Sequence, residues 1–222
     1  MDLLKLIQSL QELIYELVVW ALLLPKTLLR AVFRPDQIVQ YVNTEWKKEP
    51  KAQFDEYLPP AAFFMIVAVL PAAAIAAFDS ASITFAPTVT EADLFYSALA
   101  MLITMLIYLV WIEWLNKRPL RRSGLKRLFY IQCYLVASAQ LIYVLLLFFV
   151  LNLLGLFTIA LLGMGILIFY ESFAFKDELK VGWTKGLWYA ALPYLAFFLL
   201  LFLAGVAMIL FFGVHPADMM GA

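Results

Sequence analysis

The sequence predicts an all-α integral membrane protein of five transmembrane helices, preceded by an amphipathic, interfacial helical region. Three observations lead there. The 222 residues are 65% hydrophobic and 14% charged, with a mean hydropathy of +0.91, whereas a soluble domain is roughly 45–50% apolar and about 25% charged. Uncharged runs near the length that crosses a bilayer, about 20 residues, recur along the chain. All sixteen Lys and Arg fall in alternate segments between those runs, which is the positive-inside pattern.

The spans are expected at about 61–78, 94–115, 128–150, 154–171 and 186–213. Residues 128–170 carry no charge over 43 positions, about twice what one span needs. This run must fold back once, with Asn152 and Gly155 as the turn. Seven cations precede the first span, six separate the second from the third, and Lys176, Lys180 and Lys185 separate the fourth from the fifth. The segment between the first and second spans has none and carries Asp79, Glu91 and Asp93. The N-terminus is therefore expected in the cytoplasm, and the C-terminus, with a short tail at 215–222, outside.

The six middle cations are Lys117, Arg118, Arg121, Arg122, Lys126 and Arg127, within eleven positions. Their place between two spans makes them a cytoplasmic loop that sets topology. No nucleic-acid partner is expected. Such a cluster also suits the anionic head groups of membrane lipids. Trp111, Trp114, Trp183 and Trp188 lie at the same level and are expected to anchor the bundle at the interface.

Residues 1–60 form the cytoplasmic, interfacial part. Leu3, Ile7, Leu10, Leu13, Ile14, Leu17, Val18 and Ala21 recur at helical spacing, with Lys5, Gln8, Gln11, Glu12 and Glu16 on the other face. This is an amphipathic helix. Glu12 and Glu16 make it a poor span and spoil a signal peptide. Pro25 should end or kink it. The following stretch "KTLLRAVFRP" should form a short basic helix whose Lys26, Arg30 and Arg34 meet lipid heads or a partner. Arg34–Pro35–Asp36 breaks that helix, and Asp36 can cap the next, whose face holds Ile38, Val39, Val42 and Trp46. Pro50 stops it. A collar of three or four short helices is expected, either anchoring the bundle or docking a partner.

Ionisable groups inside a span are functional candidates. Asp79, Glu113 and Glu171 fall at span ends and none at a midplane, which counts against an ion-coupled carrier. Gln132, Ser138 and Gln140 form a candidate polar face on the third span, for interhelical hydrogen bonds or as a groove for a lipid head or peptide. Glu113 and Glu171 are interface carboxylates. Either is expected to pair with Arg121, Arg122 or Lys126, and a catalytic carboxylate pair is the alternative. Cys133 is the lone cysteine and reads as a buried hydrophobe; His215 is the lone histidine. Ala68, Ala72 and Ala76, with Pro71 among them, Gly163, Gly165 and Pro193 read as packing devices. No catalytic motif is present, and neither an enzyme nor a cofactor is expected.

The segments "LLRAVFRPDQIVQYV" (28–42), "KRLFYIQCYLVASAQLIYVLL" (126–146) and "VGWTKGLWYAALPYLAFFLLLF" (181–202), with the five-span plan, resemble prokaryotic members of the Yip (Ypt-interacting protein) domain family. The resemblance implies the fold more than an activity. Eukaryotic members carry Asp-Leu-Tyr-Gly-Pro before the first span; this chain has "DEYLPP" at 55–60, and a Rab-binding role does not carry over. The compact loops suggest a bacterial inner-membrane protein. The function expected is a non-enzymatic scaffold or accessory subunit, partnered by membrane lipids and by other membrane proteins or a second copy. An oligomeric transporter or lipid-handling protein is the alternative, and an enzyme with a site around Glu113 and Glu171 a third reading.

Overall fold

The computed structural model describes residues 3–69, 91–150 and 156–212. Every regular element among them is helical. In chain order these are α1 (Leu3–Phe33), α2 (Pro35–Glu45), a 3-10 turn (Pro50–Ala52), α3 (Pro60–Phe64) running into a π-helical stretch (Met65–Val69), α4 (Glu91–Leu115), α5 (Arg122–Val150), α6 (Leu156–Leu179) and α7 (Trp183–Phe212). Residues 70–78 of the first span, Pro71, Ala72, Ala76, Asp79, the Asn152–Gly155 turn and the tail with His215 lie outside the described residues.

The arrangement is set by α5. Residues 131–139 are buried on every side, so a whole stretch of helix with Cys133, Tyr134 and Val136 is enclosed rather than half-buried. Helices α6, α3, α2 and the second half of α1 pack around it, and α7 lies mainly against α6. The core is filled by Tyr57, Leu58 and Phe63 before the bundle, Tyr108 and Ile112 of α4, and Ala174 and Phe175 of α6. Two stretches are long and apolar enough to cross a membrane, Arg122–Leu146 and Trp183–Ala204, and Leu99–Leu115 is a shorter apolar helix. They differ in kind: of the most apolar 18 residues in each, 56% are buried in the first but only 6% in the second.

The collar differs from the expected string of short helices. Pro25 neither ends α1 nor starts a second helix; α1 runs unbroken for 31 residues. A proline removes one i to i−4 bond, here the one to the Ala21 carbonyl. Packing of Trp20, Leu23, Leu24 and Leu28 on either side of Pro25 keeps the helix going. Nor does Asp36 cap α2. Arg34 is the N-cap and Pro35 the first helical residue, and no side chain caps the end; the fixed φ of proline starts the helix instead. Thr27 ties the collar to the bundle. Its hydroxyl donates to Leu23 O (2.8 Å) and accepts the Leu58 N–H (2.9 Å), while the Tyr134 hydroxyl donates to Leu58 O.

The helix ends also move. α5 begins at Arg122, so half of the basic cluster is helical, and α6 continues to Leu179, eight residues beyond the expected span. α4 closes in a Schellman motif: Arg118 N–H donates to Glu113 O and Lys117 N–H to Trp114 O, with Lys117 at φ 52°. That position favours glycine. Lys117→Gly is expected to raise stability by about 0.5–1 kcal/mol, read as a higher melting temperature of the detergent-solubilised chain. At the start of α7, a Cβ on Gly186 would lie 2.7 Å from the backbone carbonyl of Ser172. Backbone cannot yield as a side chain can, and Gly186→Ala is expected to cost about 1–3 kcal/mol in the same assay.

Candidate functional site

Three polar constellations stand out. The first joins the ends of α2, α5 and α6. Arg127 grips Glu178 with both guanidinium nitrogens, at 2.6 Å for Nη2. The side chains are 15% and 4% exposed, so this is a buried bidentate pair. Hydrogen bonding from Glu178 holds the Arg127 pKa above its ordinary value. Asn43 of α2 bridges onward, accepting from Arg127 through Oδ1 and donating through Nδ2 to Asp177 (2.6 Å). Arg118 reaches the outer side of Glu178 at 3.5 Å; half-exposed, that contact adds little.

This knot replaces the expected salt bridges. Neither Glu113 nor Glu171 pairs with Arg121, Arg122 or Lys126 among the described residues. The acid that meets the basic cluster is Glu178, with Asp177 joined to it through Asn43, because α6 extends far enough to carry them there. Asn43, Asp177 and Glu178 escaped sequence reasoning. They look like ordinary solvated residues until the length of α6 is known.

The second constellation is the Gln132–Glu171 pair. Gln132 Nε2 donates to Glu171 Oε2 at 2.7 Å, and both side chains are fully buried. Glu171 is therefore not at a water-filled mouth. It lies eight residues, about 12 Å, from the end of α6. Its Oε1 and the Oε1 of Gln132 have no hydrogen-bond partner among the described residues, which leaves two acceptors open on one amide–carboxylate pair. Such atoms can receive a donor from a water or a ligand. Ser138 is also buried, and its hydroxyl has no partner among the described residues. Six residues from Gln132, it faces about 120° away round α5. Gln140 is half-buried. The three do not line one open groove, because α5 is enclosed on all sides through 131–139.

Glu113 is buried beside the start of α5, its Oε1 2.9 Å from where a Gly124 Cβ would sit. Gly124 and Gln132 are about 12 Å apart along α5, which holds Glu113 and Glu171 apart rather than as a catalytic pair. Among the described residues no three metal-ligating side chains converge.

The third constellation is the exposed basic surface. Lys117, Arg121 and Arg122 are exposed and make no ion pair among the described residues. Leu120 and Trp114 beside them are 60% and 65% exposed. The other candidate cations, Arg34 apart, have partners. Lys126 lies over the Trp46 and Tyr130 rings. Lys26 pairs with Glu56 at 3.1 Å, which holds the Glu56 carboxyl below its usual range, and Arg30 donates to the Tyr57 hydroxyl. Arg34 is exposed.

Trp111, expected as an interface anchor, turns inward. Its Nε1 donates to Tyr189 O at 3.1 Å, and the Tyr108 hydroxyl donates to Ala190 O at 2.9 Å. Tyr189 O would ordinarily accept from residue 193, which is proline and has no N–H. α4 thus supplies the donor that Pro193 removes from α7. Trp114 and Trp188 remain exposed as expected. No protein-family model, curated protein or solved structure matches this chain.

Proposed function

We propose that the chain is a non-enzymatic, multi-pass membrane scaffold or accessory subunit of a larger membrane complex. In this reading it crosses the bacterial inner membrane five times, in a Yip-like arrangement, with its N-terminus in the cytoplasm and its C-terminus outside. The observation that carries it is the bare apolar surface of α7. Leu195, Phe197, Leu199, Leu200 and Phe202 are each more than half exposed on a stretch of mean hydropathy 2.1. A surface of this extent needs lipid or a partner to cover it. Lys117, Arg121 and Arg122, with Leu120 and Trp114 beside them, suit the anionic head-group layer. The polar groups of the Arg127–Glu178 knot are spent on holding helices together, as a scaffold requires.

Gentle affinity purification from native membranes, followed by native mass spectrometry, tests this. A stoichiometric foreign subunit is expected; a lone chain in every preparation overturns the accessory role. Topology is tested separately with Lys117→Cys and His215→Cys in a Cys133→Ala background. An impermeant thiol reagent added outside should label position 215 only, and labelling of position 117 sinks the five-span map.

A second reading, an oligomeric transporter or lipid-handling protein, is favoured by the two open oxygens of Gln132 and Glu171. It requires a small molecule at that pair. A retained lipid or solute mass, lost in Gln132→Leu, supports it.

A further inference from the structure

The first half of α1 stands clear of the body. Residues 8–18 are exposed, and Leu10, Ile14 and Leu17 are each more than half exposed. Their spacing is tighter than general amphipathicity. Leu3, Ile7, Leu10, Ile14, Leu17, Ala21, Leu24, Leu28 and Ala31 step by four and three in strict alternation, a heptad seam running through a stretch that carries further apolar residues beside it. Ile7 and Ile14 fall at a, Leu10 and Leu17 at d. β-Branched residues at a with leucine at d favour two parallel strands. We propose that the N-terminal half of α1 pairs in parallel with α1 of a second copy of this chain.

Three further observations name the second copy as the occupant. First, the seam is continuous with a packed interface. In the same register, Leu24, Leu28 and Ala31 are packed into the protein's own core, and the uncovered half simply continues that stripe. Second, the charges suit water. Lys5 and Glu12 fall at f and Glu16 at c, the positions farthest from the seam. Leu13 and Val18 flank the seam at g and e and widen it. Third, a lipid surface fits poorly. No Lys or Arg lies between Lys5 and Lys26, whereas helices that lie on anionic membranes are rich in them. Chains inserted with one orientation are related only by an axis along the membrane normal, and a parallel pair on that axis closes as a two-fold dimer.

The inference rests on the membrane placement of the scaffold reading and names one of its partners. The test uses the full chain with Cys133→Ala in phospholipid nanodiscs, carrying one new cysteine at Leu10, Leu17 or Glu12. Mild oxidation is expected to give disulfide-linked dimers at positions 10 and 17 at least tenfold faster than at 12. Equal rates, or no dimer at any position, overturn the pairing. Ile14→Asp is expected to weaken dimerisation roughly 30-fold while the melting of the bundle stays unchanged, since Ile14 is more than half exposed within a stretch, residues 8–18, that is exposed throughout. A change in bundle melting without a change in association overturns the proposal. So does quenching by brominated lipid of a fluorophore on cysteine 17, which places the seam in the bilayer.

The same cysteines separate this idea from the scaffold reading. Crosslinks from position 10 to a foreign subunit overturn self-pairing and leave the scaffold standing. An α1-linked homodimer with no foreign subunit upholds the pairing and removes the accessory role.

Discussion

Glu178→Ala will cost about 3–5 kcal/mol, the largest loss expected from a single polar side chain here. Removing one partner of a buried ion pair strands the other charge. Arg127 is 15% exposed; of its remaining neighbours Asn43 offers one neutral oxygen and Arg118 a like charge, while Glu113 and Asp177 act on it only at a distance, with no ion pair among the described residues. The thermal midpoint of the detergent-solubilised chain checks it. The double replacement Arg127→Leu with Glu178→Leu is expected to recover most of the loss, since an apolar pair of similar volume carries no desolvation cost. Asn43→Ala should cost about 1.5–3 kcal/mol, because its amide bonds two charged groups. If the single and double replacements melt alike, the knot is not a desolvated pair and its role in holding α2 against the bundle falls with it.

The second large effect lies at Pro193 of α7. Trp111→Phe keeps the ring but removes the donor to Tyr189 O, leaving a carbonyl without a partner. The expected cost is about 1–3 kcal/mol. Pro193→Ala restores the N–H that the carbonyl would ordinarily meet. In that background Trp111→Phe should cost less by at least about 1 kcal/mol, a coupling measured by a double-mutant cycle. Equal costs in the two backgrounds would show that the indole matters through its packing alone.

Composition and charge placement reveal the helical class, and with it the apolar stretches of α5 and α7. Those signals are strong because apolar length is a property of consecutive residues. The helix ends were less legible. Nothing local says that α6 continues to Leu179, since "KDEL" at 176–179 reads equally as a solvated loop. Hence the partners of the basic cluster were misassigned to Glu113 and Glu171. Pro25 misled for a related reason: its cost is local, while the packing that offsets it comes from α2 and α5. The inward turn of Trp111 had a partly readable signal. A proline at 193 implies a carbonyl at 189 in need of a donor, but α4, α5 and α6 carry eight Tyr and Trp donors between them, so the proline alone does not name Trp111. Gln132 was singled out, but its partner was not, because residue spacing within one helix says nothing of which residue faces it from another.

The distance in sequence across the knot bears on how the chain comes to be made. Asn43 is translated 134 residues before Asp177, and at about 5–20 residues per second that interval is roughly 7–27 s. For most of it α2 exists without the α5 surface, and to its end without the complete α6 surface, that bury Ile38, Val39 and Val42. The collar emerges from the ribosome first, yet it can close only after the last helix but one has been delivered. An apolar segment waiting that long at the translocation machinery is a ready client for an insertase or a holding chaperone. Shortening the wait, by codon choice upstream of residue 177, should raise the yield of folded protein without altering a single contact.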